Sequence, residues 1–310
     1  MGKTNLLITS AGRRVSLIKN FEKHFNVFTA DMNPSLSSAC QYSGKFFKVP
    51  PVKDENYIDY LIEICKKNSI KILVPTIDTE LSVLAENREK LLGNGILPIV
   101  SSKEICDIFY LKTTTEEFFI KNGFKTPRIV ENLEEAHYPL FAKLNNSSLS
   151  IGAKKVETFE EVKNLKGNYV FQEFIEGVEY TVDAFFDDKS NLICVVPRER
   201  IEVRCGEVAK ARTKKDKKII DEIKKLAKNL KWAFGCLTIQ LFKRDEEIIF
   251  IEINPRFGGG YPLSYLAGAD YAKFIKEIYE GKELKYFEVW RDNLIMLRYD
   301  AEVLVDGNSI

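Results

Sequence analysis

The sequence predicts an α/β domain built on a parallel sheet, followed by a strand-rich α+β region. Three observations carry this. Strand and helix signals alternate through the first hundred residues, as they do when helices cover a parallel sheet. From Pro139 onward the pattern changes to longer, strand-rich segments with fewer helices. The chain has 310 residues, 45% of them hydrophobic, which is enough for two or three subdomains with cores of their own.

The elements follow in order. Residues 5–9 form an apolar strand, and Ser10-Ala11-Gly12-Arg13-Arg14 the turn after it. Residues 15–25 have helical spacing, 27–30 a second strand ending at Asp31, and 46–49 a short third one. An amphipathic helix spans 56–67 through Ile58, Leu61, Ile62 and Cys65. A strand at 70–74, a helix at 79–92 and a strand at 96–100 complete the first domain, placed at 1–100. Residues 101–122 read as two helices with Lys112 near their junction, ended by Gly123-Phe124-Lys125-Thr126-Pro127. Strands are expected at 140–144, 169–175, 180–186, 192–196, 238–243 and 248–253, with helices at 158–165 and 216–230.

Composition excludes several classes. Forty-six Lys+Arg against 45 Asp+Glu leave a net charge of +1, so no global field attracts nucleic acid. No apolar run approaches a membrane span, and the N-terminus is too poor in apolar residues for a signal peptide, so a cytoplasmic protein is expected. The six cysteines lack metal-ligand spacing and read as reduced core thiols, with Cys205 alone in a polar setting. Two histidines, His24 and His137, offer little for acid–base or zinc chemistry. A nicotinamide site in the first domain is disfavoured: Gly12 stands alone where the phosphate fingerprint needs three spaced glycines, although Asp31 is placed like a ribose acceptor. Strand ends 10–14 and 75–80 are better suited to substrate, since ligands in such sheets bind at that edge.

The most informative segment is Ile248-Ile249-Phe250-Ile251-Glu252-Ile253-Asn254-Pro255-Arg256-Phe257-Gly258-Gly259-Gly260. Alternation along a strand puts Glu252, Asn254 and Arg256 on one side. A carboxylate and an amide oxygen are hard ligands of the kind Mg²⁺ prefers when it also holds phosphates. An arginine beside them can clamp a phosphoryl group. Gln240 on the preceding strand falls beside this pair. Upstream, Lys143 lies between apolar neighbours, an expensive place for a charge unless an anion meets it. The small polar stretch from Asn145 to Gly152, including Ser148, is suited to folding over phosphates. In Phe171-Gln172-Glu173-Phe174-Ile175-Glu176-Gly177-Val178-Glu179-Tyr180, the backbone at Glu173, Phe174 and Ile175 suits an adenine edge, and Glu179 the ribose hydroxyls. Arg198, Arg200 and Arg204 alternate, so at least two converge on one face.

This order of lysine, lysine with a small-residue loop, Q-E-F-I-x-G-x-E-Y hinge, arginines and E-I-N-P-R resembles the ATP-grasp superfamily, most closely short proteins related to the carbamoyl phosphate synthase large subunit. The resemblance covers nearly the whole chain. It implies a Rossmann-like (pre-ATP-grasp) domain at 1–100 and a two-lobed ATP-grasp domain at 101–310, the small lobe at about 125–172 and the large lobe at about 173–310. The flap departs from the family in being poor in glycine. By the resemblance Lys112, Lys143 and Ser148 hold the phosphates, and Glu173, Phe174 and Ile175 the adenine. Glu179 holds the ribose. Glu252, Asn254 and Gln240 bind Mg²⁺, for which Mn²⁺ is an acceptable substitute. Arg256 and Arg204 meet the acyl phosphate and the substrate carboxylate. The implied activity is an ATP-dependent carboxylate–amine ligase acting on small molecules through an acyl phosphate, with a homodimer compatible. The alternative is a non-catalytic ATP-binding module of a larger assembly. Carbamoyl phosphate synthesis by this chain alone is not expected, because these residues include neither a second synthetase half nor a glutaminase segment.

Overall fold

The computed structural model describes residues 2–146, 152–204 and 206–309. The first domain is a five-stranded parallel sheet of β1 (Asn5–Ile8), β2 (Asn26–Asp31), β3 (Phe46–Lys48), β4 (Ile70–Val74) and β5 (Leu97–Pro98), in the order β3-β2-β1-β4-β5. Leu6, Leu7 and Ile8 are all fully buried because helices cover both faces, which is why β1 reads as an unbroken apolar run. The strand order reverses between β1 and β4, so the crevice beyond their carboxyl ends is the switch point of the sheet. Thr76 Oγ1 closes that crevice at its base by donating to the carbonyls of Thr9 (3.0 Å) and Ser10 (2.8 Å).

Two antiparallel sheets follow. The smaller has the order β7-β6-β8 and comprises β6 (Leu140–Leu144), β7 (Lys154–Val156) and β8 (Tyr169–Glu173). The larger runs β13-β12-β9-β10-β11-β14, from β9 (Val178–Phe186), β10 (Leu192–Arg204), β11 (Glu207–Thr213), β12 (Gly235–Arg244), β13 (Glu247–Asn254) and β14 (Ile295–Leu297). One face of the large sheet, through Val182, Leu237, Ile239 and Phe250, packs on helices Lys103–Tyr110, Lys112–Lys121 and Lys217–Ala227. At one end a second core joins it to the first domain. Phe257 meets Phe21 edge-on at 5.5 Å, with Tyr261 and Tyr271 packed around them. The hinge between the sheets needs Gly177, because a Cβ there would lie 2.9 Å from the backbone carbonyl of Lys243.

Several elements differ from expectation. The helix expected at 79–92 is a 3₁₀ turn, Asp78–Glu80, and two helices, Leu81–Glu86 and Arg88–Gly93. They part at Asn87, whose amide folds back to the carbonyl of Val83. β10 extends to Arg204, eight residues beyond its expected end, and β11 has no counterpart among the expected strands. The charged residues Glu207, Lys210 and Arg212 hide a strand that buries only Val208, Ala211 and Thr213. Cys40, Cys65, Cys106, Cys194 and Cys236 are buried free thiols, as expected, while Cys205 lies outside the described residues. No helix of the described residues is long and apolar enough to cross a membrane.

Phe250 tests this packing. It is buried between Phe119, stacked at 5.2 Å, and Phe124, edge-on at 5.4 Å. Phe250→Ala should cost about 3–5 kcal/mol by chemical denaturation. A loss below about 1 kcal/mol would mean that this core is not as described.

Candidate active site

A cleft of about 460 Å³ lies between the two antiparallel sheets and reaches the first domain. Its floor is the face of the large sheet opposite the helices Lys103–Tyr110, Lys112–Lys121 and Lys217–Ala227. Gln240 sits opposite Glu252 and also beside Thr181, and Thr238 sits opposite Asn254, so these side chains form one polar row. Its roof is the small sheet, where Phe141 and Lys143 face down while Leu140 and Ala142 enter the small lobe's own core.

Glu252 is the centre of the row. Its Oε2 accepts from Lys112 Nζ at 2.9 Å, and its Oε1 accepts from Gln240 Nε2 at 2.6 Å and Asn254 Nδ2 at 2.9 Å. Burial alone would raise this carboxyl, but Lys112 and Lys143 outweigh burial and hold it down at about 2. Lys143 is pushed down to about 8 by burial, against the pull of Glu252 and with the help of Lys112. Lys112 opens its helix, where the macrodipole disfavours a cation. Asn145, at the end of β6, holds it there by accepting from the backbone amides of Lys112 (3.0 Å) and Thr113 (3.2 Å). The sequence marked Asn145 only as part of a loop. No local pattern reports a cap borrowed from 33 residues away.

One end of the cleft is an apolar slot. Glu173, Phe174 and Ile175 line it together with Pro127, Phe242 and Ile251. Glu173 is tied to the crossing segment by its carboxylate, which accepts from the amide of Arg128 at 3.1 Å. Glu179 lies on the floor nearby, 3.2 Å from Arg200 Nε, its carboxyl raised by burial with Arg200 opposing. Phe242 was within reach of the sequence, being two residues beyond Gln240 on the same strand face.

The other end meets the first domain. Arg256 is gripped bidentately by Asp78, Nε to Oδ1 at 2.7 Å and Nη2 to Oδ2 at 2.6 Å. Asp78 therefore serves this ion pair rather than capping the helix that follows. Glu80 braces the same turn, accepting from the amide of Thr76 (3.0 Å) and the hydroxyl of Tyr57 (2.8 Å). Arg14 also lines the cleft, donating to the carbonyls of Thr76 (2.8 Å) and Phe257 (3.2 Å). Asp31 is occupied by backbone amides of Gly12 and Asn33, which leaves it a structural part of its loop.

The structure thus gathers Lys112, Lys143, Glu173, Phe174, Ile175, Glu179, Gln240, Glu252, Asn254 and Arg256 around one cleft. It does not bring Arg204 there. Register shifts between Arg200 and Val203 change the phase of β10, so Val203 faces the cleft and Arg204 turns outward to an exposed pair with Asp300 at 2.8 Å. Ser148 lies outside the described residues.

Residues 111–260 match the family model of the ATP-grasp domain, and residues 6–99 that of the PylC-like N-terminal domain. Residues 111–260 belong to the ATP-grasp superfamily. This bears out the expected family and fold. No curated protein sequence is significantly similar to the chain. Among solved structures, N5-carboxyaminoimidazole synthetase of Staphylococcus aureus complexed with ADP is similar at 15% identity and TM-score 0.72, covering 96% of this chain and 81% of that one. The biotin carboxylase domain of Hydrogenobacter thermophilus 2-oxoglutarate carboxylase, a dimer in complex with MgADP, ADP and bicarbonate, is similar at 13% identity and TM-score 0.71, covering 95% and 74%. L-amino acid ligase from Bacillus licheniformis is similar at 17% identity and TM-score 0.68, covering 89% and 74%. At these identities the likeness shows the fold.

In the ATP-grasp cleft, the lowered Lys143 predicts a pH dependence. A polyphosphate bound against it raises its affinity for the proton, so nucleotide binding is at full strength below about pH 8 and weakens above. The Kd for ADP with Mg²⁺, by titration calorimetry, should rise up to about tenfold per pH unit above that point. Lys143→Met should bind more weakly throughout and lose most of the slope. An unchanged wild-type Kd up to about pH 9.5 would contradict the assignment.

Proposed function

We propose that the chain is an ATP- and Mg²⁺-dependent ligase that activates a small carboxylic acid as an acyl phosphate for attack by an amine. The observation that carries this reading is Glu252, kept ionised in a buried cleft by two lysines and flanked by the amides of Gln240 and Asn254. Among the described residues there is no cluster of three or more His, Cys, Asp or Glu able to enclose a metal. One carboxylate with two amide side chains is instead the hard oxygen set that fits Mg²⁺ when substrate phosphates complete its shell. Glu252, Asn254 and Gln240 would hold that ion, which neutralises phosphate charge when bound. Lys143 from the roof and Lys112 from the helix start would take the phosphate oxygens. As Lys112 turns to them, it releases a Glu252 oxygen. The slot of Phe174, Ile175, Phe242 and Ile251 offers the adenine two apolar walls, and Glu179 is placed for the ribose.

Arg256 supplies the charge stabilisation. Asp78 fixes the guanidinium beside Asn254, so it is already oriented when negative charge moves between the nucleotide and the acid. Phosphoryl transfer asks for positioning and charge rather than a protein nucleophile. A purely nucleotide-binding module would have no task for this clamp. The finer kinship with carbamoyl phosphate synthase is supported by the Q-E-F-I-x-G-x-E-Y hinge and the E-I-N-P-R run.

A panel of small acids and amines, read by ADP release, tests the proposal: release should require one member of each. Arg256→Ala should lower that turnover by about 10²-fold or more while ADP binding persists. Unchanged turnover in Arg256→Ala would remove the assigned role. ADP release independent of any acid would remove the ligase reading.

A further inference from the structure

Arg198 is one of the largest fully buried side chains, yet it lines the cleft. Its Nε and Nη2 hold Asp183 at 2.8 and 3.0 Å, and Ser264 Oγ donates to the same carboxylate at 2.5 Å. Its Nη1 is buried without a hydrogen-bond partner among the described residues. Gly260 lets the chain pass close beside that nitrogen. Its backbone, φ −91° and ψ −4°, suits any residue, but a Cβ there would lie 2.2 Å from Nη1. The glycine is required by the guanidinium, not by the turn.

Arg14 stands at the switch point of the first sheet and contributes to the same cleft. It holds two backbone carbonyls and forms no ion pair among the described residues. Burial and the neighbouring Arg256 push it down to about 10, as befits a cation lacking a counter-ion. The carboxylates at this end are all engaged: Asp183 with Arg198, Asp78 with Arg256, and Glu207 with Arg13 at 2.7 Å and Arg298 at 3.1 Å. Donors are in surplus, and no carboxylate is left over for an ammonium group.

We infer that the acid this chain activates carries a second, non-reacting carboxylate, received by Arg198 Nη1 and Arg14 while Arg256 serves the reacting one. The substrate class is a dicarboxylic acid without an α-ammonium group. This rests on the ligase reading, but its test does not depend on turnover.

Protein loaded with Mg²⁺ and AMP-PNP is titrated calorimetrically with glutarate, butyrate, glutamate and inorganic phosphate. Glutarate should bind at least about tenfold more tightly than butyrate, glutamate or phosphate. Arg14→Gln and Arg198→Lys should each weaken glutarate by about tenfold or more, towards the butyrate value, with AMP-PNP affinity retained. Should Arg198→Lys fail to fold around Asp183, Gly260→Ala gives the same reading by displacing Nη1 while Arg198 and Asp183 both remain. Butyrate binding as tightly as glutarate, tighter binding of glutamate or phosphate, or glutarate affinity unchanged in Arg14→Gln and Gly260→Ala would overturn the inference. ADP release from a monocarboxylic acid alongside any of these would leave the ligase reading standing. A glutarate preference without ADP release from any acid would do the reverse.

Discussion

The structure depends on one buried charge. An isolated carboxylate in the position of Glu252 would be driven to its neutral form by desolvation, and only nearby cations reverse that. The cations come from separate places: Lys143 from the roof sheet, Lys112 from the start of a helix that also packs beneath the floor, and Glu252 itself from β13. Keeping Glu252 ionised therefore draws on cations from both sides of the cleft. The same arrangement buries Lys143, and desolvation, helped by Lys112, keeps its proton affinity lowered against the pull of Glu252. A site that is electrostatically settled at its carboxylate and unsettled at its lysine is prepared for a polyanion.

The first domain is part of this site rather than an attachment to it. Arg256 and its partner Asp78 are 178 residues apart, and the pair closes the cleft from the domain junction. The rigidity of that contact comes from below. Phe21, Phe257, Tyr261 and Tyr271 share one core, and Thr76 binds the ends of β1 and β4 together. A parallel sheet offers a crevice where its strand order reverses, and here Arg14 and Asp78 stand on either side of it. The crevice faces the glycine run Gly258–Gly260 of the large sheet's terminal turn, where a backbone without side chains lets the buried guanidinium of Arg198 lie against the cleft wall.

How much of this was legible in the sequence follows from the range of each interaction. Period-two alternation is local, so spacing alone puts Glu252, Asn254 and Arg256 on one face, and the pairing with Gln240 follows from two adjacent strands. The same rule misplaced Arg204, because a change of register within β10 alters the phase of alternation and leaves no mark in hydrophobic pattern. The cap that Asn145 provides to Lys112 and the clamp of Asp78 on Arg256 are long-range contacts, invisible to any window along the chain. Composition also concealed β11, whose exposed residues are charged while its buried ones are small.

The chemistry left out of the cleft bears on its function as much as the chemistry inside it. Cys65, Cys106 and Cys194 are raised to about 12, chiefly by burial, so thiolates are not on offer there. His24 is engaged with Asp270, the N-cap of helix Tyr271–Tyr279, and neither it nor His137 lines the cleft. Among the described residues, what faces the cavity is a set of cations, carboxylates bound to cations or to backbone amides, neutral amides, and glycines that let backbone come close. Among the described residues this set includes no histidine or cysteine. It can hold charge in fixed places while bonds change between bound molecules, which is the demand of phosphoryl transfer to a carboxylate.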